Sequence, residues 1–502
     1  MLDGLSAAPA RVVVVRAVNS ANANRFGRSP PPSTPRARVD PWQDELVAER
    51  LIVIGGDAAG MTAASQARRR RGPDDLEIIA FERGQFTSYS ACGIPYWISG
   101  LVPQRDQLIA RDPTTFRERF DIGVRLRHEV TAVDLDRREV VARDLANGGE
   151  VRERFDTLVY ATGAHPLRPA WARTGVKGVF GVQTLDDGAA LRDWLDTHPR
   201  PRQAVVVGGG YIGVEMAEAL IQRGLEVTLV EKASQPMSTV DPDMAKLVND
   251  AMHGVGVQIR TDLEVTGLQE RDGRVCTVLT SDGPIPADLV VLGLGVRPNV
   301  ALAEAAGLPI GPSGALRVDR RMRVPGVDDV WAAGDCVECL HRVSGMPVHI
   351  PLGTHANKQG RVAGVNIGGG YATFPGVIGT AVIKVCDLEV GRTGLREQDA
   401  AAAGFEFVSV ITKSTNRAGY FPGSRPMTVK LIAERPTGRL LGAQIVGWSE
   451  AAKRIDALAV ALWNGMTVDD MTALDLGYAP PYSPVWDPVL IAARKAVDAL
   501  GR

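Results

Sequence analysis

A chain of 502 residues, 45% of them hydrophobic, has material for two to four domains with cores of their own. With 57 basic against 58 acidic residues the net charge is -1, so there is no electrostatic footprint for nucleic acid, and no apolar run reaches the length of a membrane span. Five cysteines, odd in number and scattered, argue against a disulfide framework and suit a reducing, cytoplasmic setting.

Residues 1–48 read as a disordered leader. The proline-rich stretch 28–35 supports neither a helix nor a central strand, and the valine run at 12–15 is too short for a secretory core. Order begins at 50–54, a continuous apolar run suited to a buried parallel strand. A glycine turn follows (Gly55, Gly56, Asp57, Ala58, Ala59, Gly60), then a helix over 61–71 and a second strand over 76–81 that stops at Glu82. In such a βαβ unit the glycines bring a helix N-terminus to a diphosphate while the acid reaches a ribose hydroxyl. The fingerprint is imperfect, because Asp57 stands where the middle glycine belongs. Shortly after it, Cys92 precedes Gly93 and Pro95, a tight turn able to aim a thiol. By itself this stretch fits a buried structural cysteine as well as a redox one.

A second unit runs from 203–207 through a full match, Gly208 to Gly213 with Gly210 between, into a helix through 215–223 and a strand ending at Glu231. Either glycine turn could be a packing device. Two of them, each with its acid, predict two dinucleotides and electron transfer between them. The linker 196–202 separates the units, and apolar strands lead to small-residue turns at Ala161, Thr162 and Gly163, at 288–293, and at Gly334 and Asp335. Beyond 373 come short strands (377–388, 405–412, 427–433, 440–446) and helices (450–464, 489–500), a third, α+β domain.

These motifs together resemble the flavin-dependent pyridine nucleotide-disulfide oxidoreductases over residues 49–500. More narrowly they resemble the single-cysteine branch: coenzyme A-disulfide reductases, NAD(P)H persulfide reductases, and NADH oxidases and peroxidases. The resemblance implies an α/β fold with two Rossmann-like domains and a C-terminal α+β dimerisation domain. Its expected boundaries are FAD-binding 49–165 and 288–372, NAD(P)H-binding 166–287, and dimerisation 373–502. The implied cofactor-binding residues are Gly55, Gly56, Ala58, Ala59, Gly60, Glu82, Ala161, Thr162, Gly163, Gly295, Gly334 and Asp335, with Gly208, Gly210, Ile212, Gly213 and Glu231 in the second unit. The cofactors expected are FAD and NADH, with NADPH still usable, and the assembly expected is a homodimer.

A few positions choose within the branch. Trp97 occupies the fifth place after Cys92, where an internal disulfide partner would stand. Ala58 stands where oxidases and peroxidases of this group carry a histidine. Tyr420, in a Gly-Tyr-x-Pro-Gly segment, and Tyr478, in Tyr-Ala-Pro-Pro, match the coenzyme A-disulfide reductase pattern, whose tyrosines come from the partner subunit. Gln66, Arg69 and Ser88 match the family's coenzyme A channel. The expectation is therefore electron transfer from NAD(P)H through FAD and Cys92 to a disulfide or persulfide of coenzyme A. The alternatives are an oxidase or peroxidase cycling Cys92 through sulfenic acid, and a non-enzymatic flavin redox sensor. No metal site is expected: Cys336 and Cys339 lack a second pair at zinc spacing and read as structural, and Cys276 and Cys386 as core.

Overall fold

The computed structural model describes residues 48–172, 175–196 and 200–502. The expected leader, apart from its last residue, and part of the 196–202 linker lie outside these.

Two parallel sheets are covered on both faces, so the inner parts of their central strands are continuous apolar runs. In the first sheet Glu49–Ile54 lies between Leu76–Phe81 and Thr157–Tyr160, with Gly123–Arg125 and Val330–Ala332 at the edges. Leu51, Ile52 and Val53 are fully buried. The second sheet has Gln203–Val207 between Glu226–Val230 and Leu289–Leu292, flanked by Gln258–Arg260 and Val179–Gly181. Leu289–Leu292 thus pairs with the second sheet, so the return to the first module comes after 292 rather than at 288. The return strand Val296–Pro298 pairs antiparallel with the outgoing Ala164–Pro166.

One long helix, Gly353–Ile367, has no counterpart in the sequence reading. Its glycines and polar residues blur the apolar stripe, yet those glycines explain its place. A Cβ on Gly360 or Gly364 would stand 2.3 Å from the carbonyl oxygen of Ala59 or Ala63, so only glycine lets it lie against the first helix, Ala58–Arg68.

The C-terminal domain is a five-stranded antiparallel sheet under the helices Ala451–Trp463 and Pro488–Leu500. The apolar stretch 377–388, expected as one strand, is broken into Ala381–Val385 and Leu388–Gly394 by a turn in which Cys386 has φ +53°. Cys386 is buried, but at a hairpin turn rather than within a strand. Cys276, expected in the core, is only half-buried because it lies in a three-stranded ribbon.

Candidate active site

Both glycine turns are built alike. Gly55 has φ +113°, and a Cβ there would meet the Ala161 carbonyl oxygen at 2.1 Å; one on Gly60 would meet the Gly55 oxygen at 2.0 Å. In the second turn a Cβ on Gly208 would meet the Gly293 oxygen at 2.5 Å, and one on Gly213 the Gly208 oxygen at 1.9 Å. The acids predicted from the strand ends close both turns. Glu82 accepts from Gly56 N at 2.9 Å and Gly84 N at 2.7 Å, and Glu231 from Gly209 N at 2.6 Å and Ala233 N at 2.8 Å. Neither following helix has a capping side chain on its second or third N–H, although the Asp57 carboxyl bonds the first N–H of the first helix, that of Ala58, so each N-terminus keeps donors that suit an anion.

These features fit two dinucleotides: a backbone cradle that any Cβ would fill, a helix N-terminus and an acid at the end of the following strand in each. Asp335 adds a further acceptor at the first turn. It follows Gly334, which has φ +91° and whose N–H donates to the buried Gln359 at 2.8 Å. Burial raises the Asp335 carboxyl above its ordinary pKa, and His349 opposes the rise. Gln359, on the unforeseen helix, carries no motif that could have flagged it. Thr162 donates to the Asn299 carbonyl at 2.7 Å and Asn299 N to that of Gly163 at 2.9 Å, tying the Ala-Thr-Gly turn to the return strand, while Gly295 (φ +86°) lies just ahead of that strand.

Asp57, the departure from the fingerprint, precedes the first helix without capping its second or third N–H. Its carboxyl is pushed up to about 7, by burial first, with Glu82 and Asp335 adding to the rise and the Tyr89 N–H, at 3.3 Å, opposing it. The neutral acid is thus favoured in the folded chain, and its contribution to stability, present below the ordinary value of 3.8, is lost as pH rises through about 7. A diphosphate bound here meets a neutral Asp57 below that pH and an anion above it. FAD affinity should therefore fall by about tenfold between pH 6 and pH 9, and Asp57→Asn should flatten the profile. Flavin fluorescence on release measures this; an equal fall in Asp57→Asn places the effect elsewhere.

Cys92 lies in a single turn of 3₁₀ helix, Ala91–Gly93, that leads into Ile94–Ser99. The turn is clamped by Ser90 N donating to the Leu108 carbonyl at 2.8 Å, and a Cβ on Gly93 would strike Leu108 at 2.3 Å. The residue is exposed, yet the protein packed around the thiol raises its pKa, by burial first and then by Glu215, Asp335 and Asp57. Asp57 and Asp335 belong to the first module and Glu215 to the helix Tyr211–Gln222 of the second, so the thiol stands where the two modules meet. Glu215, missed by the sequence reading, is itself pushed up to about 7 by burial and shares a hydrogen bond with Tyr96.

Of the four arginines at 68–71, three have structural work. Arg68 donates to the carbonyls of Phe120 and Asp121, Arg71 pairs with Glu49, and Arg70 packs on Gly368. Arg69 is exposed and lies one turn beyond Gln66, which follows Thr62 by another turn; the three form one stripe. Ser88 has φ +51°, and its N–H donates to the Gly56 carbonyl at 3.1 Å, so its backbone braces the first glycine turn. Tyr420, 77% exposed, and Tyr478, half exposed, share a hydrogen bond on the C-terminal domain, and Tyr478 is followed in sequence by the exposed Tyr482, Val485 and Trp486. Cys336 is buried against the Ala333 and Tyr160 carbonyls, and among the described residues no group of metal-ligating side chains is assembled.

Comparison with known proteins follows the same outline. A family model described as pyridine nucleotide-disulphide oxidoreductase matches residues 49–360, and its dimerisation domain matches 380–488. The chain is 38% identical to the NAD(P)H coenzyme A polysulfide/persulfide reductase of Pyrococcus horikoshii over 90% of its own length and 99% of that protein. It is 35% identical to a protein named NADH oxidase from Methanocaldococcus jannaschii, over 90% and 99%. The solved structure of a NAD-dependent persulfide reductase from A. fulgidus, 40% identical, superposes with a TM-score of 0.86, covering 90% of this chain and 83% of that one.

Proposed function

The chain belongs to the pyridine nucleotide-disulphide oxidoreductase family, and from that premise we propose that it is an FAD-dependent reductase of low-molecular-weight disulfides or persulfides, with coenzyme A as the thiol carrier. The observation that carries this reading is the position of Cys92, a lone thiol set between the two dinucleotide cradles. The coenzyme A-linked and persulfide-linked names of its relatives point the same way.

FAD, when bound, supplies the two-electron relay between the nicotinamide and sulfur. Gly55, Gly56, Ala58, Ala59, Gly60, Glu82, Asp335 and the Ala161–Thr162–Gly163 turn would hold it; Gly208, Gly210, Ile212, Gly213 and Glu231 would hold the nicotinamide nucleotide. Cys92 attacks the acceptor's S–S bond as a thiolate, forming a mixed disulfide and releasing a thiol. The protein around Cys92 raises its pKa, by burial first, so the thiolate that attacks is the less favoured form there. Per turnover NAD(P)H and a proton convert one disulfide into two thiols, or one persulfide into a thiol and hydrogen sulfide. Gln66, Arg69 and Ser88 are assigned to the coenzyme A channel, where a free guanidinium suits a phosphate.

The enzyme acts as a homodimer in which Tyr420 and Tyr478 of the partner subunit donate the proton to the leaving thiolate. Changing both to Phe should slow disulfide reduction by about tenfold or more and leave reduction by NADH unaltered. A fully active monomer in sedimentation overturns this assignment. Among the described residues no helix is long and apolar enough to cross a membrane, and we place the enzyme in the cytoplasm.

Coenzyme preference follows from Glu231. A carboxylate held by two backbone N–H groups accepts from a ribose 2′-hydroxyl and repels a 2′-phosphate. The adjacent Lys232, which could offset that repulsion, instead pairs with Glu264 at 2.9 Å, both exposed. The expected kcat/KM favours NADH over NADPH by about tenfold, and Glu231→Ser should narrow the gap. An unchanged ratio in that variant locates the discriminating group elsewhere.

The deciding experiment is anaerobic NADH oxidation with coenzyme A disulfide, coenzyme A persulfide, glutathione disulfide or no acceptor. The coenzyme A species should turn over fastest. Oxygen or peroxide consumption of equal rate without any disulfide would instead establish the oxidase or peroxidase reading, and slow turnover with every acceptor the sensor.

A further inference from the structure

Lys430 lies near the middle of the strand Pro426–Glu434 in the C-terminal domain and is 1% exposed. A buried lysine is tolerated only when paired. Three carboxylates surround its ammonium: Asp241 at 3.1 Å, Asp243 at 2.7 Å and Glu397 at 2.9 Å. Two of them come from the second module, at the start of the helix Pro242–Gly254. Asp241 is itself buried and bound on every side. Its N–H donates to Gln444 at 2.8 Å, Gln444 donates back at 2.7 Å, and Glu397 N donates to it at 3.1 Å. Arg396 also donates to the Ser238 carbonyl.

The segment just before Asp241 covers the second glycine turn. Met237 N donates to the Gly209 carbonyl at 2.7 Å, and a Cβ on Gly209 would stand 2.6 Å from that of Pro236. Gly209 is the glycine whose N–H binds Glu231. Met237 is fully buried with φ +57°, a conformation that a side chain larger than glycine keeps only where its surroundings impose it. The imposition comes from both ends: Gly209 on one side, and Ser238 and Asp241, held by the C-terminal domain, on the other.

We propose that Lys430 is a positioning residue for the nicotinamide nucleotide, acting through Asp241 to hold the 236–241 segment over the glycine turn that carries Glu231. Without the ammonium, Asp241 is a buried carboxylate facing Asp243 and Glu397, and the one cation still acting on it, Arg396, has its ion pair with Asp399 instead. Where the carboxyl keeps its charge, relief comes from the segment moving toward solvent, which frees Met237 to leave its left-handed conformation and breaks its bond to Gly209. The inference rests on the reading of Gly208 to Gly213 as the nicotinamide nucleotide site.

The test uses the FAD-loaded dimer. Lys430→Met should raise both the Kd and the KM for NADH by about tenfold, with kcat at saturating NADH and the FAD content unchanged. Lys430→Met combined with Asp241→Asn removes the stranded charge while keeping an amide to pair with Gln444, and should recover most of the affinity. A Kd within twofold of wild type in folded Lys430→Met overturns the proposal, as does a double variant no better than the single. If Lys430→Met does not fold, Asp241→Asn alone must raise the Kd by about threefold, and an unchanged value overturns the proposal. Gly213→Ala serves as the control: if it leaves NADH binding intact, the reading of the turn has failed rather than the role of Lys430.

Discussion

Cys92→Ser should retain its FAD and its reduction by NADH yet lose reduction of coenzyme A disulfide by about three orders of magnitude or more. A serine hydroxyl neither attacks sulfur at neutral pH nor forms the mixed disulfide, whereas hydride delivery makes no use of the thiol. No other cysteine is placed to substitute. Cys336 is buried against backbone carbonyls and Cys386 lies in the hairpin turn after Val385. Stopped-flow bleaching of the flavin separates the two half-reactions. Near wild-type turnover in Cys92→Ser, or its abolition in Cys336→Ser, would show that the electrons take another route.

Gly213→Ala should cut kcat/KM for NADH by about a hundredfold while FAD stays bound, because a misplacement of about an ångström at a reacting geometry costs that much. The added Cβ would stand 1.9 Å from the Gly208 carbonyl oxygen, 3.0 Å from its carbon and 3.6 Å from Val206. Backbone cannot rotate away as a side chain can, so the helix Tyr211–Gln222 or the turn itself must shift. The variant reduced with dithionite should keep far more of its reduction of coenzyme A disulfide, since the added Cβ lies in the second cradle and reaches Cys92 only through Glu215 on that helix. Normal bleaching by NADH in this variant would exclude the second turn as the nucleotide site.

Much of the architecture was legible because it is written in local patterns. A continuous apolar strand, a glycine turn and an acid at the end of the next strand occupy a few dozen neighbouring residues, and the backbone conformation they require admits few alternatives. Glu82 and Glu231 therefore sit where the chain order places them. The helix Gly353–Ile367 escaped notice because its packing face is made of glycines whose purpose appears only beside Ala59 and Ala63. The division of 377–388 into two strands escaped for a related reason: a turn at Cys386 breaks a pattern that is otherwise apolar.

The sequence by itself determined the two cradles, the candidate thiol Cys92 and the family to which the chain belongs, since each depends on motifs whose residues lie close together along the chain. Only the tertiary structure decided what surrounds that thiol and what steadies the second cradle. Glu215 reaches the field of Cys92 across 123 positions, Gln359 meets Gly334 from a separate helix, and Lys430 meets Asp241 from another domain. None of these pairings follows a sequence spacing. Burial brings the groups together, and in a low-dielectric interior their charges shift a carboxyl to about 7 or demand a counter-ion, as no isolated segment in water would.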